Sequence, residues 1–160
     1  MIGERMRQKT APTDQTTIHG VWRLKSYYLE NLQTGERTHV FGSNPNGVLT
    51  LLPEGRMFAL LTPGERTRPE TEADEANAFR NLLAYSGRYR LEPPDRFVTT
   101  VDVASLESWV GSEQARKFRL HGDALDITIG PARMSLTGDA MVMNVLSWVR
   151  ERNGALKVTA

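Results

Sequence analysis

From Ile18 onward the chain is written in short segments of alternating apolar and polar residues, cut at close intervals by glycine, proline, asparagine and aspartate. A period of two sends successive side chains to opposite faces of a strand. A chain made almost wholly of such segments must close its apolar faces on one another, as a sandwich or a barrel.

The stretch I-H-G-V-W-R-L-K-S-Y-Y-L-E opens the series, with Trp22, Leu24, Ser26 and Tyr28 on one face and Arg23, Lys25 and Tyr27 on the other. A turn at L-Q-T-G-E, a short strand T-H-V-F-G and a second turn at S-N-P-N-G follow, and V-L-T-L-L then pairs through P-E-G with R-M-F-A-L-L-T as a hairpin. After a polar loop over Thr62 to Pro69, the spacing of Ala76, Phe79, Leu82 and Leu83 predicts a helix near Glu70 to Tyr85, its start crowded with acids that suit the helix dipole. The acidic run from Glu70 to Glu75 therefore reads as a solvated helix start. Strands resume with G-R-Y-R-L-E and continue through F-V-T-T-V-D-V-A-S, E-Q-A-R-K-F-R-L, A-L-D-I-T-I and A-M-V-M-N-V-L-S-W-V-R. The expectation is an all-β domain over 18–152 of roughly eight or nine antiparallel strands with one α-helix. Polar residues 1–17 and 153–160 are expected to be tails.

Composition narrows the function classes. Twenty lysines and arginines stand against 19 acidic residues, so no net field draws nucleic acid to the chain, and no nucleic-acid partner is expected. No cysteine is present, which removes disulfides, thiolate nucleophiles and sulfur-bound metals. The N-terminal residues are charged where a secretory leader needs an apolar run, and no stretch approaches a membrane span. The expectation is a cytoplasmic protein with no membrane partner. His19, His39 and His121 are scattered without metal-ligand spacing, and the hydrolase, NTPase and dinucleotide motifs are absent. Neither metal nor cofactor is expected.

Four motifs, taken in order, resemble one family. They are G-V-W-R-L at Gly20 to Leu24, F-G-S-N-P-N-G, L-A-Y-S-G-R-Y, and W-V-G-S-E-Q-A-R-K-F-R-L-H-G-D-A-L, and together they are similar to the bacterial and fungal lipocalin-like domain family over most of Gly20 to Arg150. The resemblance implies an up-and-down antiparallel β-barrel of the lipocalin/calycin type with an apolar interior cup. It also implies that Trp22, after Gly20 and Val21 on the first strand, plugs the closed end with Arg150 from the last strand stacked on it. Without cysteines or a leader, the chain departs from the secreted members of the wider group.

Strand parity nominates the cup's lining. In E-Q-A-R-K-F-R-L, Phe118 and Leu120 face inward and carry Gln114 and Arg116 with them. A guanidinium inside a barrel is costly unless compensated. Arg116 with Gln114 either meets a ligand carbonyl, enolate or carboxylate, or else is spent on an ion pair with Asp102 or Glu113, or reaches water at the mouth. Tyr28, Tyr85 and Tyr89 offer hydroxyls on apolar bodies, for orienting a ligand or for core packing. Phe97, Thr99, Val101, Val103 and Ser105 share a parity, and Trp109 follows in a glycine-flanked loop as a rim or lid, or as a loop anchor. Met57, Met141 and Met143 fill either a pocket or a core. The candidate ligand-binding set is Arg116, Gln114, Tyr28, Tyr89, Trp109, Phe118, Met57 and Met143.

Three functions fit these residues. The first is binding of a small apolar or amphipathic metabolite, with affinity from burial. The second is a cofactor-independent cyclase or isomerase of a polyketide- or terpenoid-like intermediate, in which Arg116 or a tyrosine polarises a carbonyl and motifs are not needed. The third is a barrel packed solid by Trp22, Tyr28, Phe58 and Phe118 that works through partner contacts. Oligomeric state is left open, a homodimer included.

Overall fold

The structure, a computed structural model, describes residues 17–152, so the tails expected over 1–17 and 153–160 lie outside the described residues apart from Thr17. Nine strands and one helix run in the order β1 (Gly20–Asn31), β2 (Arg37–His39), β3 (Asn46–Leu51), β4 (Arg56–Thr62), α1 (Glu72–Arg80), β5 (Leu83–Glu92), β6 (Arg96–Ala104), β7 (Glu113–His121), β8 (Ala124–Met134) and β9 (Ala140–Arg150). β1 pairs antiparallel with β3, each strand from β3 to β8 pairs antiparallel with the next, and β9 pairs back onto β1. That last ladder closes an eight-stranded up-and-down barrel, and β2 adds an extra short strand to β1 through Tyr28 and His39.

Hairpin turns fall where the glycine, proline and aspartate signals stand. The β3–β4 turn, for example, is closed by the Gly55 amide donating to the Leu52 carbonyl at 3.0 Å. Closure also demands a close approach of β5 and β6: a Cβ on Gly87 would stand 2.1 Å from the Thr100 carbonyl oxygen, so only glycine fits there.

Three bulges interrupt the ladders, one of them in β8 where Gly130 and Pro131 stand opposite Met143, and the other two reset the side-chain parity of candidate residues. In the β1–β9 ladder Leu24 faces Trp148 but Ser26 faces Ser147, which makes Lys25 an extra residue. Trp22 and Leu24 point inward before the bulge, and Tyr27 and Leu29 point inward after it. Tyr28, expected inward, stands outside, under the Arg37 guanidinium at 4.5 Å and edge-on to His39. In β6, Ser86 faces Val103 and Gly87 faces Val101, so Asp102 is the extra residue. Phe97, Thr99 and Val101 are buried as expected, but Val103 is 65% exposed on the outer wall.

The helix is shorter than its apolar spacing predicts. Thr71 caps it, its hydroxyl accepting from the Asp74 amide at 3.1 Å while the Asp74 carboxylate accepts from the Thr71 amide. It ends at Arg80, and Leu83 opens β5 opposite Leu61. Ladder bonds that complete the barrel outweigh the local helical preference of Leu82 and Leu83, and α1 buries none of its side chains. Phe79 remains 55% exposed.

One end of the barrel is packed shut. The Trp22 indole donates to the Ile18 carbonyl at 2.9 Å, and the Arg150 guanidinium lies 4.3 Å above its ring. Arg150 also donates to the His19 and Thr17 carbonyls, both at 2.7 Å, and faces Asp123 at 3.5 Å. A Cβ on Gly20, whose φ is +136°, would meet Arg150 Nη1 at 2.9 Å, which explains the glycine before V-W. Met57, Leu51, Phe97 and Leu125 fill the space above the plug.

Candidate functional site

Toward the other end the inward side chains leave a cavity of about 550 Å³. Its wall is mainly apolar, with Leu61, Leu83, Ile127, Ile129 and Leu146 on the strands and Phe41, Leu106 and Trp109 around the opening. The interior is therefore not packed solid as the third reading expected. The mouth lies at the end that carries Trp109, whereas the Thr62 to Pro69 loop, expected beside it, does not line the cavity. Phe41 stands edge-on to Tyr27 at 5.6 Å and Trp109 edge-on to Tyr85 at 5.2 Å, so aromatic pairs frame the entrance. Trp109 belongs to a single helical turn, Glu107–Trp109, whose geometry is held by the Ser112 hydroxyl donating to the Trp109 carbonyl at 2.6 Å.

Arg80 and Asn81 stand at the mouth, and four polar side chains on the strands, besides the Tyr85 hydroxyl, interrupt the apolar wall within. Arg116 and Gln114 come from β7, in the inward positions that parity assigns them. Tyr27 and Asn144 come from β1 and β9, where the Tyr27 hydroxyl donates to Asn144 Oδ1 at 2.9 Å. Arg116 is 7% exposed, donates to the Ala115 carbonyl at 3.0 Å and contacts Gln114 Oε1 at 3.4 Å. Its guanidinium carbon is 6.0 Å from both the Tyr85 and the Trp109 rings. The carboxylates expected as alternative partners are engaged elsewhere: Asp102 binds Arg56 and Glu113 binds Arg90, each at 2.8 Å on the outer wall. Burial raises the Tyr27 pKa, only partly offset by the nearby Arg116 charge, so this hydroxyl stays a neutral donor.

The remaining candidates divide by depth and by face. Met57, Tyr89 and Phe118 do belong to the interior side of the barrel, but they pack against the core near the closed end and do not line the cavity. Phe118 rests on Phe97 at 6.1 Å, and Tyr89 also meets Phe97 while its hydroxyl donates to the Leu52 carbonyl at 2.7 Å. Tyr28 and Met143 face away from the interior: β9 turns Val142, Asn144, Leu146 and Trp148 inward, which leaves Met143 on the outer side. Tyr28 borders a separate outer-wall depression of about 440 Å³ with Lys117, Arg119 and Asp126. Phe58, expected inside, is 41% exposed. Tyr27 and Asn144 were not among the candidates. Asn144 shares parity with Trp148 and was legible on that ground, whereas Tyr27 was hidden by the bulge at Lys25.

A closed eight-stranded barrel with a tryptophan plug and a cup at one end agrees with a comparison of family models, in which a lipocalin-like domain matches residues 19–151. The chain belongs to the lipocalin-like domain family. This lipocalin-like barrel is also similar to a 4'-hydroxy-3'-methoxypropiophenone carrier protein of Aspergillus oryzae, at 32% identity over 82 residues that cover 45% of this chain and 72% of the relative. No helix among the described residues of the lipocalin-like domain is long and apolar enough to cross a membrane.

Proposed function

We propose that this lipocalin-like domain is a binding and carrier protein for a small, mostly apolar metabolite, which it holds in the cavity with Arg116 as the principal polar contact. The observation that carries this reading is the cavity itself: a largely apolar cup in which a few buried polar groups converge. Burying about 200 Å² of apolar ligand surface there contributes roughly 5 kcal/mol. Arg116, Gln114, Tyr27 and Asn144 then orient the ligand's oxygens, and Trp109 covers the opening. The hydroxymethoxypropiophenone named for the fungal relative has this character, an aromatic body with a few oxygen acceptors. A cytoplasmic setting suits a cysteine-free chain.

Carriage is favoured over cyclisation or isomerisation by the makeup of the wall. Among the described residues it has no Asp, Glu or His, the side chains that most often serve as a general base near neutrality, and burial raises the pKa of the Tyr27 phenol.

Trp109 and Trp148 line the cavity and make their emission a reporter. The neutral dye phenylnaphthylamine is expected to bind saturably with energy transfer from tryptophan, and hydroxymethoxypropiophenone to displace it. Ala59→Phe, which fills the cavity from β4, is expected to abolish both signals. Saturable binding that persists in a folded Ala59→Phe protein, or no binding by the native protein, would overturn the assignment.

A further inference from the structure

A permanently charged side chain that is only 7% exposed needs a counter-charge, because several kcal/mol of lost hydration are otherwise uncompensated. The described residues supply Arg116 with none. Its strand neighbour Glu113 points outward to Arg90, and Asp102 across the sheet points outward to Arg56. Tyr27 feels the guanidinium charge, yet burial dominates and keeps it a neutral phenol, so it does not serve as an internal anion. The second arginine of the wall, the exposed Arg80 at the mouth, adds charge of the same sign, and no carboxylate lines the cavity.

Arg116 carries five N–H donors, and its recorded acceptors are one carbonyl at 3.0 Å and one long contact to Gln114 at 3.4 Å. The Gln114 amide is already committed to the Ser112 hydroxyl at 2.9 Å. The site has donors and positive charge in excess.

We propose that the molecule carried in this cavity is an oxygen acid, whether phenol, enol or carboxylic acid, bound as its anion with Arg116 as counter-ion. The inference rests on the cavity being the binding site, as argued above. A phenol or enol that enters as the neutral molecule releases its O–H proton to the solvent, and the oxyanion takes the free guanidinium donors. The planar guanidinium beside Tyr85 and Trp109 suits an oxyanion whose charge is spread over an adjoining aromatic or carbonyl system.

The test compares acids with neutral isosteres as competitors of bound phenylnaphthylamine. Naphthalene carboxylate is expected to displace the dye at least about tenfold more effectively than its methyl ketone isostere acetonaphthone, an attraction of the size a desolvated charge pair supplies. Arg116→Gln is expected to erase that preference while the ketone still competes, and Arg116→Lys to retain part of it. In the spectral arm, hydroxymethoxypropiophenone is added at a pH where the free molecule is almost wholly neutral phenol. A red-shifted phenolate band on binding identifies a phenolic ligand class, and its absence alongside a carboxylate preference identifies a carboxylic one. Equal competition by acid and ketone in the native protein overturns the proposal while leaving the cavity reading intact, and needs no variant to fold. A preference that survives Arg116→Gln also overturns it. Failure of phenylnaphthylamine to bind at all removes both readings together.

Discussion

The two ends of the barrel each bury an arginine against aromatic rings, and they treat it in opposite ways. At the closed end Arg150 stacks 4.3 Å from Trp22, donates to two carbonyls at 2.7 Å and faces Asp123. At the open end Arg116 is as buried, stands 6.0 Å from its rings, and has one carbonyl and one distant amide oxygen as acceptors. The difference separates a charge that folding surrounds with two carbonyls and a carboxylate from one that the described residues leave without a counter-charge. Arg150 belongs to stability and Arg116 to the cup.

The largest effect is expected at the plug. Arg150→Leu strands two carbonyls and uncovers the Trp22 ring, and it is expected to lower stability by about 3 kcal/mol, with the loss read from thermal or urea unfolding. Dye binding in the cup, measured below the new midpoint, is expected to persist. A variant of unchanged stability would show that the plug is packing alone.

Met57→Ala sharpens the contrast of depth. Met57 is fully buried below the cavity, so truncation is expected to cost about 2 to 4 kcal/mol with little change in the dye's affinity. If affinity falls in proportion to stability, the cup extends deeper than its walls indicate.

Arg116→Leu addresses the open end directly. Removing an unpaired buried charge leaves no carboxylate behind, so unfolding is expected to shift by less than about 1 kcal/mol, or toward greater stability. Preference for acidic ligands is expected to vanish. A large loss of stability would mean that Arg116 is a structural element like Arg150.

The smallest effect lies outside both ends, at the cap of α1. Hydrogen bonds from the Glu70 and Thr71 amides hold the Asp74 carboxyl below its ordinary pKa. Because the folded pKa is depressed, the cap's contribution is present above the ordinary carboxylate range and lost as pH falls through the folded value. Protection factors of the Thr71 and Asp74 amides, taken against the intrinsic rate at each pH, are therefore expected to fall on acidification while the barrel strands stay protected, and Asp74→Asn to remove that pH dependence. Simultaneous loss of protection in helix and barrel would show that α1 does not open independently.

Alternation and turn residues were enough to read an all-β domain with closely spaced strands, because the period of two is a local property of an extended chain, while the choice of a barrel over a sandwich came from the family resemblance. Parity was enough to turn Arg116 and Gln114 inward, since β7 runs without a bulge from Glu113 to His121. Trp109 was legible as a rim residue from its glycine-flanked loop, and the Trp22–Arg150 plug from the resemblance in G-V-W-R-L. What parity does not carry is height along the barrel, so Met57, Tyr89 and Phe118 share the interior with the cup's residues yet fall near the closed end. Nor does it survive an extra residue. Lys25 has no mark in the sequence that distinguishes it from its neighbours, and only the pairing of Leu24 with Trp148 and Ser26 with Ser147 reveals the bulge that sends Tyr28 out and Tyr27 in. The end of α1 was decided in the same way, by the bonds that Leu83 to Tyr85 make with β4. Local chemistry determined which segments are strands and which face of β7 is wet, while register, bulges and stagger were set by closing eight strands on one another, a condition no single segment can express.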